Sequence, residues 1–123
     1  MSKKTILLVD DDNLIRQGLK AIIEANTDYE IIEFSSGVNA TAMLSAKKPH
    51  IDAAVLDIVM PGHGGSVGAY LKKTPDYKDT VIIYYSGLDK NQFDNKILEG
   101  AYYIDKEEGG MQQVAEILTR LLG

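Results

Sequence analysis

Acidic, hydroxyl and amino side chains follow apolar runs at several places in the sequence. Asp10 and Asp11 follow TILLV, Asp57 follows AAVL, Ser86 follows TVIIYY, and Lys106 lies two residues beyond AYYI. Burying an unpaired carboxylate costs so much free energy that such groups are normally neutralised, paired with a cation or placed where solvent reaches them. A carboxylate at the end of an apolar run is therefore expected to have a partner or a chemical task.

These five side chains have the groups that metal binding and phosphoryl chemistry require. Carboxylates that converge repel one another, and their pKa values rise unless a cation lies among them. Two acids after one strand and one after another therefore imply a bound metal, and all-oxygen ligands favour a hard ion such as Mg²⁺. A carboxylate can also attack phosphorus and form an aspartyl phosphate. That step needs a metal and a lysine to neutralise phosphoryl oxygens, with a hydroxyl or backbone N–H nearby.

Two hydrophobic periodicities alternate along the chain, as strands and helices do. Apolar runs predict strands at 5–10, 29–34, 52–56, 80–86 and 101–104. Helically spaced apolar residues predict helices that include 14–23, 38–44, 67–71, 89–99 and 111–122. Strands that are apolar almost throughout are typical of a parallel sheet covered on both faces, so we predict a doubly wound α/β fold. In such sheets the functional site lies at the carboxyl ends of the strands, where the five side chains follow.

The composition excludes several classes of function. The chain has 123 residues, no cysteine and a formal net charge of −5. This length predicts one domain over 1–123, and the lack of cysteine excludes disulfides, thiolate zinc sites and thiol catalysis. Scattered basic residues argue against a nucleic-acid partner, and no apolar stretch approaches the ~20 residues of a membrane span. We expect a soluble, cytoplasmic protein.

The segments LLVDDD, LDIVMPG, YYSG and GAYYIDK, in this order and spacing, resemble the receiver domain of two-component response regulators. The likeness covers essentially the whole chain and implies a flavodoxin-like (βα)5 fold with strand order 2-1-3-4-5. It implies that Asp57 is the phosphoacceptor and that Ser86 and Lys106 contact the phosphoryl group. The implied Mg²⁺ ligands are Asp10, Asp11, Asp57 and the backbone carbonyl of Val59.

The resemblance also implies a mode of signalling. Tyr103 matches the aromatic switch residue, which turns inward when the hydroxyl residue is drawn to the phosphate. The implied donor is a histidine kinase or a histidine phosphotransfer protein, and the implied output is a downstream protein that binds the face formed by the fourth helix, fifth strand and fifth helix. Such a domain is a switch and not an enzyme, since it catalyses only its own phosphorylation and dephosphorylation. Neither nucleic acid nor membrane is an expected partner.

Three features depart from the family's usual pattern. Glu107 follows Lys106 where the family usually has proline after a cis peptide bond, and a non-proline cis bond would cost ~3 kcal/mol, so we expect a trans bond. The segment 100–106 is one residue shorter than usual, which leaves Tyr102 as an alternative switch aromatic. Val59 and Leu88 are apolar where the family's polar groups help to aim the hydrolytic water, so we expect a long-lived phosphoryl group.

Two other functions fit parts of the sequence. A receiver-like scaffold would bind a partner without being phosphorylated. A phosphohydrolase of the haloacid dehalogenase type would use Asp10 as nucleophile, with Asp12 as the second acid two residues further on. Asp12 or Asn13 is instead expected to cap the first helix. The glycines of GHGGSVG fit neither GxGxxG nor GxxxxGK, so we expect a flexible loop there.

Overall fold

The computed structural model describes residues 3–57, 64–87, 99–107 and 109–123, with the side chains of 64–66 excepted. The strands are β1 (Thr5–Val9), β2 (Glu30–Phe34), β3 (Ala53–Leu56), β4 (Val81–Ser86) and β5 (Tyr102–Asp105). The helices are α1 (Asn13–Asn26), α2 (Gly37–Lys47), α3 (Gly64–Lys73) and α4 (Gly110–Leu122), with a short 3-10 helix at Pro75–Tyr77. Residues 89–98 of the predicted fourth helix lie outside the described ranges. Within those ranges, no helix is both long enough and apolar enough to cross a membrane.

The five strands form one parallel sheet in the order β2-β1-β3-β4-β5, which confirms the predicted fold and strand order. Val9 is the register partner of both Phe34 and Leu56, so β1, β2 and β3 end at the same level. The ladder continues one residue beyond the strands, because the Asp57 N–H donates to the Val9 carbonyl at 3.0 Å. Residues that follow the strands are therefore held at one edge of the sheet by backbone hydrogen bonds.

Apolar side chains alternate between the two faces of the sheet, and each face has a hydrophobic core. Period-two alternation sends successive strand residues to opposite faces, so a strand that is apolar throughout supplies both cores. The first core joins the sheet to α2 and α3, through Leu7, Val9, Leu56, Tyr84, Leu44, Val67 and Leu71. The second core joins it to α1 and α4, through Ile6, Leu8, Ile83, Ile104, Leu19, Ile23, Val114 and Leu118.

The start of α3 differs from the prediction. The glycines of GHGGSVG were expected to form a flexible loop, but α3 begins at Gly64, and only residues 62 and 63 of the segment lie outside the described ranges. Glycine disfavours helix by about 1 kcal/mol relative to alanine. Packing outweighs this preference, because Val67 is fully buried and a Cβ at Gly68 would overlap the Tyr84 hydroxyl. A small residue is required where α3 lies against the sheet.

The turn between β1 and α1 is closed by side-chain hydrogen bonds. Asp12 is the N-cap of α1, and its Oδ1 accepts the N–H groups of Leu14 at 2.9 Å and Ile15 at 3.3 Å. This confirms the predicted capping position. Asp10 Oδ1 accepts the Asp12 N–H at 2.9 Å, so Asp10 and Asp12 together stabilise one tight turn.

Candidate functional site

Two acids converge at the carboxyl edge of the sheet. Asp10 follows β1 and Asp57 follows the adjacent β3, and their side chains are 3% and 6% exposed. The Asp10 N–H donates to the Phe34 carbonyl at 3.2 Å, which extends the ladder on the β2 side. The register of the parallel strands therefore places two nearly buried carboxylates side by side, as the sequence predicted.

Lys106 bridges these two carboxylates. Its Nζ lies 2.7 Å from Asp10 Oδ2 and 2.8 Å from Asp57 Oδ2, and its side chain is 16% exposed. The backbone N–H of Lys106 donates to the Ser86 carbonyl at 2.9 Å, so the end of β4 fixes the base of this side chain. No cis peptide bond occurs in the described ranges, and the bond to Glu107 is trans as expected.

The pKa values of Asp10 and Lys106 both lie above their ordinary values. Burial raises the pKa of Asp10 above its ordinary value, which hydrogen bonds from Lys106 and the Asp12 N–H only partly offset, and the neighbouring Asp57 adds to the rise. Burial alone would lower the pKa of Lys106, but its hydrogen bonds to Asp10 and Asp57 outweigh that effect and raise it. Lys106 therefore keeps its charge at neutral pH, and that charge only partly offsets the effect of burial on Asp10.

Asp11 completes a group of acids that fits a divalent cation. Asp10, Asp11 and Asp57 each offer a carboxylate oxygen, and these oxygens all lie within 4.8 Å of one another. Asp11 is exposed whereas the other two are buried, so the group opens to solvent on one side. Oxygen ligands of this kind suit Mg²⁺, which usually keeps several waters. Val59, whose carbonyl is the fourth predicted ligand, lies outside the described ranges.

The predicted switch residues lie on β4 and β5. Ser86 ends β4, is fully buried and pairs in register with Asp105. Tyr103 is partly buried and packs against the core on the α2 and α3 side, which also contains Tyr84. Tyr102 is 40% exposed. The alternation along β5 therefore gives the two adjacent tyrosines different environments, and Tyr103 is the one that packs against this core.

Two residues that contact the site were not predicted from the sequence. Arg16 Nη1 donates to the Asp10 backbone carbonyl at 2.5 Å. The Tyr85 ring centroid lies 5.9 Å from Lys106 Nζ, within the range of a cation–π contact. The sequence predicts only the secondary structure of these two residues. Arg16 is six positions from Asp10 and Tyr85 is twenty-one positions from Lys106, and contacts at these separations give no periodic signal. The predicted cap at Asp12 or Asn13 is the sequence signal that puts Arg16 in the first turn of α1, close to Asp10.

Residues 6–118 match the family described as the response regulator receiver domain. The chain belongs to this family. Members are signalling switches of two-component systems that receive phosphoryl groups from histidine kinases, and they bind Mg²⁺ at an acidic pocket. The resemblance seen in the four sequence segments is thus confirmed for the receiver domain as a whole.

Curated relatives carry receiver domains within longer proteins. Protein-glutamate methylesterase/protein-glutamine glutaminase 3 of Leptospira interrogans is 33% identical over 116 residues, which are 90% of this chain and 32% of that protein. The DNA-binding transcriptional activator DevR/DosR of Mycobacterium tuberculosis is 28% identical over 87% of this chain and 49% of that protein. This receiver domain therefore spans a third to a half of the length of these relatives.

A solved structure of similar shape comes from Thermotoga maritima. The response regulator protein TrrA in complex with Mg²⁺-BeF is 30% identical, with a TM-score of 0.81, and the match covers 97% of this chain and 99% of that one. The complex contains a metal ion in a protein of the same fold and family. The acidic group around Asp57 has the chemistry that such an ion requires.

Proposed function

We propose that this receiver domain accepts a phosphoryl group on Asp57 from the phosphohistidine of a histidine kinase or histidine phosphotransfer protein. The observation that carries the proposal is the position of Lys106 Nζ, 2.8 Å from Asp57 Oδ2 and 2.7 Å from Asp10 Oδ2. One ammonium thus lies beside the proposed nucleophile and one further acid. This arrangement supports the proposal, because positive charge beside Asp57 would neutralise incoming phosphoryl oxygens.

The transfer is a substitution at phosphorus. A carboxylate oxygen of Asp57 attacks in line and forms the new O–P bond, while the P–N bond to the donor imidazole breaks. The electron pair of that bond returns to the imidazole nitrogen, which takes up a proton from solvent. Lys106 neutralises charge on the phosphoryl oxygens, and Ser86 at the end of β4 supplies a hydroxyl contact to the new group.

Asp10, Asp11, Asp57 and the Val59 carbonyl would hold Mg²⁺. When bound, Mg²⁺ neutralises both the acids and the incoming phosphoryl oxygens. Support comes from the three carboxylate oxygens within 4.8 Å of one another and from the hard character of this ligand set. The Mg²⁺-BeF complex of TrrA supports the same assignment by analogy.

The proposed output is a change in partner binding. Phosphorylation draws Ser86 towards Asp57 and shifts an existing equilibrium in which Tyr103 turns inward. The face formed by the predicted helix at 89–99, β5 and α4 then binds a downstream protein, with no catalysis beyond the domain's own phosphorylation and dephosphorylation. We include in the proposal one domain over 1–123, a cytoplasmic location, and no nucleic-acid or membrane partner.

The first experiment is intact-mass spectrometry after incubation with Mg²⁺ and acetyl phosphate. We expect one phosphate adduct on the wild type that requires the metal and is lost in Asp57→Asn, which keeps the size of the side chain. An adduct that persists in Asp57→Asn and is lost in Asp10→Asn would favour the dehalogenase mechanism instead. Absence of an adduct from a wild type that binds Mg²⁺ would favour the unphosphorylated scaffold.

A further inference from the structure

Arg16 reaches back from α1 over the turn that follows β1. Its Nη1 donates to the Asp10 carbonyl at 2.5 Å and its Nη2 donates to Asn13 Oδ1 at 2.9 Å. Its Nε lies 3.6 Å from Glu33 Oε1 on β2, and its side chain is 15% exposed. The two hydrogen bonds therefore hold the guanidinium against the turn and the start of α1, whereas the contact with Glu33 is a longer charge pair and not a hydrogen bond.

The carbonyl that Arg16 holds belongs to the peptide group between Asp10 and Asp11. Because a peptide group is planar, fixing its carbonyl also fixes the direction in which the chain enters Asp11. The Asp10 carboxylate is oriented separately, by Lys106 and the Asp12 N–H. For the exposed Asp11 carboxylate, the described ranges contain no hydrogen bond or ion pair. The backbone is thus what directs Asp11 towards the other two acids.

We infer that Arg16 is a positioning residue for the metal site, which acts through the Asp10–Asp11 peptide group to hold the Asp11 carboxylate at ligand distance from Asp10 and Asp57. This inference rests on the proposed Mg²⁺ site and adds a residue that is not itself a ligand. The two-ended contact with the Asp10 carbonyl and Asn13 requires the planar fork of arginine, which lysine lacks.

The direction of the change in Mg²⁺ affinity distinguishes a positioning role of Arg16 from an effect of its charge. Arg16 is a cation close to a cation site, so removing its charge alone would strengthen Mg²⁺ binding. Loss of the carbonyl contact would instead let Asp11 sample other directions and weaken binding. Groups that orient metal ligands without binding the metal typically change affinity by about 10–100-fold when mutated. We expect Arg16→Gln to weaken Mg²⁺ binding by about tenfold, at the lower end of that range because water competes for the exposed Asp11.

The test titrates each protein with Mg²⁺ alone and monitors the backbone amide NMR shifts. These shifts report both the Mg²⁺ affinity and whether the variant is folded. Arg16→Lys keeps the positive charge but lacks the planar guanidinium. This variant replaces Arg16→Gln in the test if Arg16→Gln does not fold. Glu33→Gln is the matched control, since it removes the ion pairs to Arg16 and Lys20 and leaves the Asp10 contact in place. A parallel assay measures the rate of phosphorylation by acetyl phosphate against Mg²⁺ concentration.

We expect both Arg16 variants to need about tenfold more Mg²⁺ for half-maximal rate. Their rate at saturating Mg²⁺ should stay close to wild type, and Glu33→Gln should behave as wild type in both assays. Unchanged or tighter binding in Arg16→Gln, wild-type affinity in Arg16→Lys, or an equal loss in Glu33→Gln would each overturn the inference. A wild type that does not bind Mg²⁺ would overturn it together with the proposed metal site. Weaker binding in the Arg16 variants of a protein that accepts no phosphoryl group would uphold it while refuting the proposed function.

Discussion

Replacing Lys106 with methionine should destabilise the metal-free protein strongly. The side chain keeps a similar length, but the Asp10 and Asp57 carboxylates, 3% and 6% exposed, lose the ammonium that contacts both. Removing one partner of a buried ion pair costs about 3–5 kcal/mol, because the other charge stays buried. Lys106 is 16% exposed and water can reach part of the site, so we expect the lower end, about 3 kcal/mol. For a domain of this length that corresponds to a fall in Tm of about 12 °C.

Thermal and urea unfolding followed by circular dichroism, in EDTA and in Mg²⁺, would measure this effect. Lys20→Met is the matched control, since Lys20 pairs with Glu33 at 3.3 Å but is 41% exposed, and exposed pairs contribute less than about 1 kcal/mol. Adding Asp10→Asn to Lys106→Met should restore much of the lost stability, because one buried carboxylate then remains instead of two. Mg²⁺ should stabilise Lys106→Met more than wild type.

An unfolding midpoint for Lys106→Met in EDTA equal to that of wild type would refute this reasoning. It would mean that the two acids are compensated by solvent or by protonation and not by the lysine. Lys106 is not a proposed metal ligand, so its loss should uncouple phosphorylation from switching and should not weaken Mg²⁺ binding. A loss of Mg²⁺ affinity as large as that of Asp11→Asn would contradict that assignment.

Three further predictions concern other parts of the chain. Burial alone would raise the pKa of Asp52, but hydrogen bonds from the Thr5 N–H at 2.8 Å and from His50 at 3.0 Å hold that pKa below its ordinary value. Asp52→Asn should therefore cost about 1 kcal/mol at pH 7, and urea titrations should show this difference shrink as the pH falls through the lowered pKa of Asp52. Gly68→Ala should cost about 1–3 kcal/mol by overpacking against the Tyr84 hydroxyl, and a double-mutant cycle should show partial rescue by Tyr84→Phe. Val59→Asn should accelerate loss of the phosphoryl group in a mass-spectrometric time course, and an unchanged rate would count against the predicted long lifetime.

The fold could be predicted from the sequence because each apolar run stops at a polar residue, which either ends the strand or follows it directly. Runs such as TILLV and AAVL have few alternatives to buried parallel strands, and the side chains after them must then meet at the carboxyl edge of the sheet. The structure places Asp10, Asp11 and Asp57 together in this way, with Lys106 against two of them. Local chemistry also predicted the cap at Asp12.

What the sequence did not reveal depends on packing between distant residues. The glycines at the start of α3 have low helix propensity, and only the position of Tyr84 explains why a small residue belongs at Gly68. The contact of Arg16 with the Asp10 carbonyl depends on the exact start of α1, which is the least certain part of any helix prediction. The sequence places Tyr85 in the predicted strand 80–86, but its contact with Lys106 follows from the register of β4 and β5.

The position of Lys106 has a consequence for the pairing of β5. Among the described strands, β5 lies at the edge of the sheet and pairs with β4 alone. Its adjacent residues Tyr102 and Tyr103 provide a weak signal for the correct alignment. A slip of one residue would move every side chain to the opposite face and shift the strand by about 3.3 Å. It would exchange the two tyrosines and pull the ammonium of Lys106 away from both carboxylates. The ion pairs of Lys106 therefore stabilise the correct register, so that the charges proposed to serve phosphoryl transfer also penalise misalignment of an edge strand.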